Sequence, residues 1–296
     1  MGSMNLSQLQ HASESRVRAL FGLMPAALGE LLAAVLPLLV ERRRQSQQAR
    51  PRQRALGGGR QRTLKPYQEV LLTLVYLRHN TAHAVVGELF GVSADTSENT
   101  IYEVLPVLRE VCPAERWAAQ KRWQRSVPTW KPDAVDHLLI DSFETPVPRP
   151  SEPAAQKRRY SGKKKRHTLK TQVVTDAQGE ILTIDAGHPG PRADKRIYEQ
   201  SGVAQQFPRA KKQADLAYLG AAEVVVPQRK PRGKLLTAEQ RQANRELART
   251  RVYVEHGIRR IKGWRIVRGE YRLPTGLFPL VASVVVGLVH VNRLCG

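Results

Sequence analysis

The chain has 296 residues, 41% of them hydrophobic, with 48 lysines and arginines against 26 acids and a formal charge of +22. That apolar fraction is too high for a disordered chain and is enough for one large core or two smaller ones. A field this positive attracts polyanions, so nucleic acid leads as partner; an anionic membrane surface is the rival, but no basic amphipathic anchor stands out to support it.

Cys112 and Cys295 stand alone without metal spacing, which points to a reducing compartment. Met1-Gly2-Ser3 ahead of Met4 reads as a cloning remnant, and no signal peptide is expected before the body.

Leu20, Leu23, Met24, Leu28, Leu31, Leu32, Val35, Leu38 and Leu39 recur at helical spacing, so residues 15–44 are expected to be helical, divided at Pro25 or Pro37. An N-terminal helical segment over 4–41 either packs on its own chain or pairs with a second copy. Residues 42–65 read as a basic linker: eight arginines lie between 42 and 62 with no acid among them, and Gly57-Gly58-Gly59 breaks any helix. Such a stretch is either a solvated tether or an arm that follows phosphates through Arg50, Arg52, Arg54, Arg60 and Arg62. Arg-Pro-Arg at 50–52 is suited to a minor groove.

Residues 66–112 carry a helix-turn-helix pattern. Val70, Leu71, Leu74 and Leu77 mark one helix and His83 to Phe90 a second. Gly91-Val92-Ser93 forms the turn, with Ser93 as cap for a third helix bearing Ile101, Val104, Leu105 and Leu108. The unit is a DNA-binding candidate and also a common way to pack helices; Asp95 and Glu98 stand where a reading helix prefers Arg, Asn or Gln. Residues 113–134, with Trp117, Trp123 and Trp130, read as a linker packed across a domain boundary.

From Val135 the period changes to that of strands. His137-Leu138-Leu139-Ile140-Asp141 reads as a buried strand ending in an acid. Thr168–Thr175 and Ile181–Ala186 read as a hairpin closed by Asp176-Ala177-Gln178-Gly179. A helix over 193–206, a second acid at Asp215, a strand at 223–227 and a long helix opened by Thr237 complete an α/β layer over 135–296. Leu277 to Leu294 is apolar, but His290, Asn292 and Arg293 make it a buried terminal helix rather than a membrane span.

In that long helix Arg251, Glu255 and Lys262 lie at offsets of four and seven and share a face. A carboxylate between two cations suits a site that holds a divalent metal and an anionic polymer together. Asp141 and Asp215, each at a strand end, can complete it. Hard cations take oxygen ligands, and two of them about 3.5–4 Å apart can activate an attacking oxygen and stabilise a leaving one. Neither a His/Cys zinc cluster nor a nucleotide-cradling glycine loop competes. The run from Lys157 to His167 is basic in eight of eleven positions, counting His, and reads either as a solvated loop or, beside the acid-bearing sheet, as a track for nucleic acid. Its cations are Lys157, Arg158, Arg159, Lys163, Lys164, Lys165 and Arg166.

Four segments together resemble bacterial insertion-sequence transposases of the DDE class, in the group related to Harbinger-type elements. They are Ile140-Asp141-Ser142-Phe143-Glu144-Thr145-Pro146, Tyr160 to Lys170, Ala214 to Gly220 and Val254-Glu255-His256. The likeness runs from about Pro66 to the C-terminus. It implies a ribonuclease H-like mixed sheet flanked by helices, behind an all-α helix-turn-helix domain. It also implies two Mg²⁺ ions, with Mn²⁺ as a substitute, and cutting and joining of element-end DNA. Asp141, Asp215 and Glu255 then carry the metals and the catalysis. Arg251 and Lys262 match the family's Arg-x3-Glu-x6-Lys signature, and Asp194 and His256 are supporting candidates. The expected partners are terminal inverted repeats and target DNA, bound by a homodimer in the bacterial cytoplasm on the nucleoid, with no membrane role. The family usually reads Asp-Gly-Thr-Glu at the first motif and His-Asp after the third strand; here Asp-Ser-Phe-Glu and Ala193-Asp194 stand there. A DNA-binding regulator that has lost catalysis is the other reading.

Overall fold

The computed structural model describes residues 12–49, 62–124 and 131–296. Helix α1 (Glu14–Phe21) is capped by Ser13 and stopped by Gly22 in the left-handed region. Helix α2 (Pro25–Gln48) corrects two expectations. It runs unbroken through Pro37, because Ala33 and Pro37 both face solvent and water can satisfy the carbonyl that the proline leaves unpaired. It also takes in Arg42, Arg43 and Arg44, so the linker does not begin at Arg42.

Nor is the charge there unbalanced. Arg42 pairs with Glu110, Arg44 with Glu41, and Arg43 with Glu103 at 2.6 Å and buried Glu69 at 2.5 Å. Arg62 reaches the same Glu69 and Glu103. The balancing acids come from the chain outside 42–62, which a local reading cannot see.

Helix α3 (Pro66–His79) is buried on every side from Gln68 to Leu77 and forms the axis of the helical half. Helices α4 (His83–Phe90) and α5 (Ala94–Val111) fold over it through a turn at Gly91, φ 70°, with Ser93 accepting from the Thr96 amide. Pro106 lies inside α5 without ending it. Helix α6 (Arg116–Trp123) fills part of the expected linker. Its Trp117 meets Phe207 edge-on, with ring centroids 6.3 Å apart.

The sheet begins with β1 (His137–Pro146), followed by α7 (Pro153–Arg159) and the short β2 (Tyr160–Ser161). Strands β3 (Arg166–Asp176) and β4 (Ile181–Pro189) make the hairpin. Helices α8 (Asp194–Gln200) and α9 (Val203–Gln206) lead to β5 (Lys211–Gln213) and β6 (Val224–Val225). β1 lies between antiparallel β3 and parallel β5; β4 continues the sheet beyond β3, β6 lies parallel beyond β5, and β2 joins the start of β3. This is the ribonuclease H-like mixed sheet flanked by helices, behind an all-α domain.

Period-two alternation divides the sheet's side chains. Leu138, Ile140, Val174 and Leu182 pack on Tyr198, Phe207 and Tyr218 on the α8–α9 side. Leu139, Phe143 and Val173 join a larger core with α10 (Ala238–Lys262), α12 (Phe278–Leu294) and the N-terminal helices. The four-residue α11 (Arg265–Arg268) lies between them. The stretch Thr275–Leu294 is long and apolar enough to cross a bilayer, yet it runs through this core. A Cβ on Gly287 would lie 2.1 Å from the Cys112 carbonyl oxygen, so only glycine allows α12 to approach so closely.

Candidate active site

Asp141 does not end its strand. β1 continues to Pro146 because β3 pairs with it along its whole length, whereas parallel β5 stops at Gln213. Asp141 therefore sits where the sheet opens. The register Leu139↔Gln213 brings Asp215, two residues further on, level with it. Asp215 caps a 3₁₀ turn, its Oδ1 accepting from the Ala217 amide at 2.9 Å.

Asp141 is mostly buried. Its Oδ1 accepts from the Ser142 amide at 2.7 Å, and its Oδ2 lies 3.8 Å from an Arg251 guanidinium nitrogen. Burial pushes its carboxyl up to about 6, and Asp215 and Asp194 add to the rise against the Ser142 N–H and Arg251. A carboxyl withheld from water beside other acids is short of positive charge.

Asp141 and Ser142 form one wall of a cleft of about 540 Å³, and Glu255, Ile258, Arg259 and Lys262 of α10 line it with Arg268. Glu255 is exposed and makes no ion pair among the described residues. The Lys262 ammonium lies 5.2 Å from the centre of the Phe143 ring. Burial lowers its pKa first and Lys164 second, with Asp141 opposing. A smaller recess of about 140 Å³ adjoins, lined by Glu144, Lys163, Lys164, Lys170, Asp194 and Lys262 among others.

Asp194 opens α8, and its Oδ1 accepts from Ser142 Oγ at 2.6 Å and lies 3.2 Å from Lys170 Nζ. Lys170 also donates to the Arg192 carbonyl at 2.7 Å. Ser142 and Lys170 are absent from the residues that sequence reasoning singled out for the site. A lysine within the expected strand Thr168–Thr175 was the available signal for the second, and for the first only its place in Asp-Ser-Phe-Glu, where the family usually has glycine. His256 lines neither cleft and meets Tyr253 edge-on at 6.3 Å.

Of the expected DNA contacts, Lys163, Lys164 and Lys165 sit exposed in the turn leading into β3, the first two at the recess, and Arg166 is exposed at the first position of β3. Lys157, Arg158 and Arg159 end α7, Arg159 donating to Thr275 Oγ1 at 2.9 Å. Arg62 is held by the two glutamates. Arg50, Arg52, Arg54 and Arg60, with Trp130, lie outside the described residues.

Among the described residues, no three His, Cys, Asp or Glu side chains are drawn together to hold a metal. Asp141 instead joins two pairs, with Asp215 by register and with Glu255 across the cleft. The donors are all carboxylate oxygens, and the Asp141 carboxyl lacks a full counter-charge. That chemistry fits a hard divalent cation.

An α/β sheet with paired acids facing a basic helix, behind a helix-turn-helix, defines a nucleic-acid-cutting fold, and the comparisons agree. Residues 140–290 match the DDE superfamily endonuclease model and residues 62–113 the helix-turn-helix of DDE superfamily endonuclease. The chain belongs to the DDE superfamily endonucleases. It is 31% identical over 243 residues to a probable transposase for insertion sequence element IS702 of Microchaete diplosiphon, covering 78% of this chain and 82% of that one. A putative transposase for IS112 of Streptomyces albus G is 29% identical over 217 residues, 72% and 75% of the two chains. The putative nuclease HARBI1 of Rattus norvegicus is 23% identical over 155 residues, 50% of this chain and 43% of that one. No solved structure matches the chain significantly.

Proposed function

We propose that the protein is a DNA transposase that binds the inverted repeats at its element's ends and catalyses metal-dependent strand cleavage and transfer. The observation that carries this reading is Asp141, a carboxyl raised by burial and by two acids at the mouth of a cleft whose far wall is Glu255, Arg259 and Lys262. Asp141, Asp215 and Glu255 are the residues that would hold Mg²⁺, two ions in this reading, with Mn²⁺ as substitute. The bound ions would supply Lewis-acid activation of the attacking oxygen and stabilisation of the leaving one.

The chain's own groups orient the strand. Lys262 and Arg259 hold phosphate oxygens in the cleft, Lys163 and Lys164 lead the backbone into it, and Arg251 offsets part of the Asp141 charge until DNA arrives. Asp194, anchored by Lys170, fixes Ser142 and so the direction of the Asp141 carboxylate. His256 keeps only a supporting place on the exposed face of α10.

The partners are the element's ends and a target duplex, in the cytoplasm on the nucleoid. Two ends imply two copies of the chain on DNA; α1 and α2 bury their apolar faces internally, so the contact between copies uses their outer faces.

The test incubates the protein with Mg²⁺ and a duplex carrying the ends that flank its gene, then sequences the products. Nicks and joined strands at the element boundary are expected, with Asp141→Asn reducing both at least a thousandfold. Undiminished cleavage by that variant overturns the assignment. Binding without any cleavage by the unchanged protein leaves a DNA-binding regulator instead.

A further inference from the structure

From Ala222 to Tyr253 no residue is buried, although sixteen of these residues, Ala238 to Tyr253, are helical. This length of α10 spans about 24 Å at 1.5 Å per residue. A helix polar on all sides and without a buried face needs local support or a partner. Local support is visible. Thr237 and Gln240 form a capping box, and Gln242 donates to Glu246 at 3.0 Å. Asn244 clasps the preceding loop by accepting from the Gln228 amide at 2.8 Å and donating to its carbonyl at 3.0 Å. The body holds this half through Gln213, which donates to the Leu247 carbonyl at 2.7 Å and Thr250 Oγ1 at 2.6 Å.

The clasped unit is strongly basic. Between Gln228 and Thr250, Arg229, Lys230, Arg232 and Lys234 lie in the loop and Arg241, Arg245 and Arg249 on the helix, against Glu239 and Glu246 alone. All seven cations are exposed, and none forms an ion pair among the described residues. The three helical arginines follow one another at four-residue steps, so they form a single stripe. Continued along α10, that face passes Val252 and reaches Arg259, which lines the acid cleft.

We propose that this arm is a second DNA-binding surface, an arginine rail that grips the phosphate backbone of the duplex where it leaves the acid cleft. It is separate from both the helix-turn-helix and the basic turn before β3. The inference deepens the transposase reading and rests on it for the identity of the duplex. The occupant is nucleic acid rather than an acidic protein because the row is built from guanidinium groups, which bind phosphates in bidentate fashion. The same face of α10 also continues, past Val252, to the cleft that receives a phosphodiester in the transposase reading. The arm makes only backbone contacts and reads no bases.

The test replaces Arg241, Arg245 and Arg249 together by Gln, which keeps helix propensity. It uses a 40-base-pair duplex of arbitrary sequence. A charge-matched control replaces Arg16, Arg18 and Lys121, also exposed and far from the arm in sequence. Far-ultraviolet ellipticity and the melting temperature establish that both variants are folded. Binding is measured from 50 to 300 mM salt.

The arm variant should bind about 10- to 100-fold more weakly than the unchanged protein, and the slope of log K against log salt should fall by about 2–3. The control should change affinity by less than about threefold. Equal losses in both variants reduce the arm to part of the general field and overturn the proposal, as does no loss in the arm variant. If the unchanged protein binds DNA through the arm but cuts nothing, the cleavage reading fails and the rail stands. If it cuts DNA and the arm variant binds normally, the rail alone fails. If it binds no duplex, both fail.

Discussion

Asp141 and His290 respond to pH in opposite directions. The Asp141 carboxyl titrates near 6 in the fold, above about 3.9 in the unfolded chain. Between those values the folded protein holds the extra proton, so this group's contribution to stability falls as pH rises through the window, by at most about 3 kcal/mol. His290 sits buried in α12 with Nε2 at 3.0 Å from the Ala114 carbonyl, its pKa lowered to about 4 by burial and then by Arg116. There the unfolded chain holds the extra proton below about 6.5, so this contribution falls as pH drops from there towards 4. Asp141→Asn should therefore be more stable than the unchanged protein above pH 6 by about 1–2 kcal/mol and lose that advantage near pH 4, while it loses activity. Denaturant melts across pH 4–8 check this; a difference that grows towards acid contradicts the assignment. The acids were legible as residue types at strand and helix positions. The tie of Ser142 and Lys170 to Asp194 was not, because contacts between residues so distant in sequence leave no mark in local pattern.

Elements with a local cause were read correctly, and those set by partners were not. The turn between α4 and α5 was legible because Gly91 needs positive φ and Ser93 caps the next helix. The length of β1 was not, because it is β3 that carries it past Asp141 into Glu144 and Thr145. Pro37 failed to break α2 for a similar reason: the buried face of Leu31, Val35 and Leu39 holds the helix across it. The turn also packs back against Gly87 of α4, which the sequence reading passed over. A Cβ there would meet the Val92 carbonyl oxygen at 2.5 Å, and that oxygen is backbone, with no flexible side chain to give way. Gly87→Ala should cost about 1–3 kcal/mol by forcing the turn open. It should weaken binding to terminal-repeat DNA more than cleavage of an already bound substrate. Chemical denaturation and single-turnover cleavage at saturating protein measure the two effects; an alanine variant as stable as the unchanged protein refutes the close approach.

At the scale of the whole molecule, where two family models cover residues 62–113 and 140–290, the sequence suggested a division into an N-terminal helical segment over 4–41, a basic linker over 42–65, a helix-turn-helix domain over 66–112, a second linker over 113–134 and a catalytic unit over 135–296. The packing crosses it. Val35, Leu71 and Leu108 of the helical half belong to the same buried cluster as Leu139, Phe143, Val173 and most of α12. Polar contacts cross it too. Glu180, in the β3–β4 connection, receives Arg116 of α6 at 3.7 Å, Arg260 of α10 at 3.4 Å and Arg293 of α12 at 2.5 Å. Substituting this acid leaves three guanidinium groups crowded and only partly hydrated, so Glu180→Gln should cost about 2–4 kcal/mol. It should also loosen α10, the helix that brings Glu255 and Lys262 to the cleft. The stronger consequence concerns excision. A fragment beginning at residue 135 would uncover the sheet face of Leu139 and Phe143 and the inner side of α12, an apolar surface far larger than a soluble monomer tolerates. The intact chain should therefore unfold in one transition seen alike by tryptophan fluorescence and far-ultraviolet ellipticity, while the 135–296 fragment should aggregate or bind hydrophobic dye. A fragment that melts cooperatively as a monomer would mean that the two halves merely touch, and the site helix would then owe its position to the sheet alone.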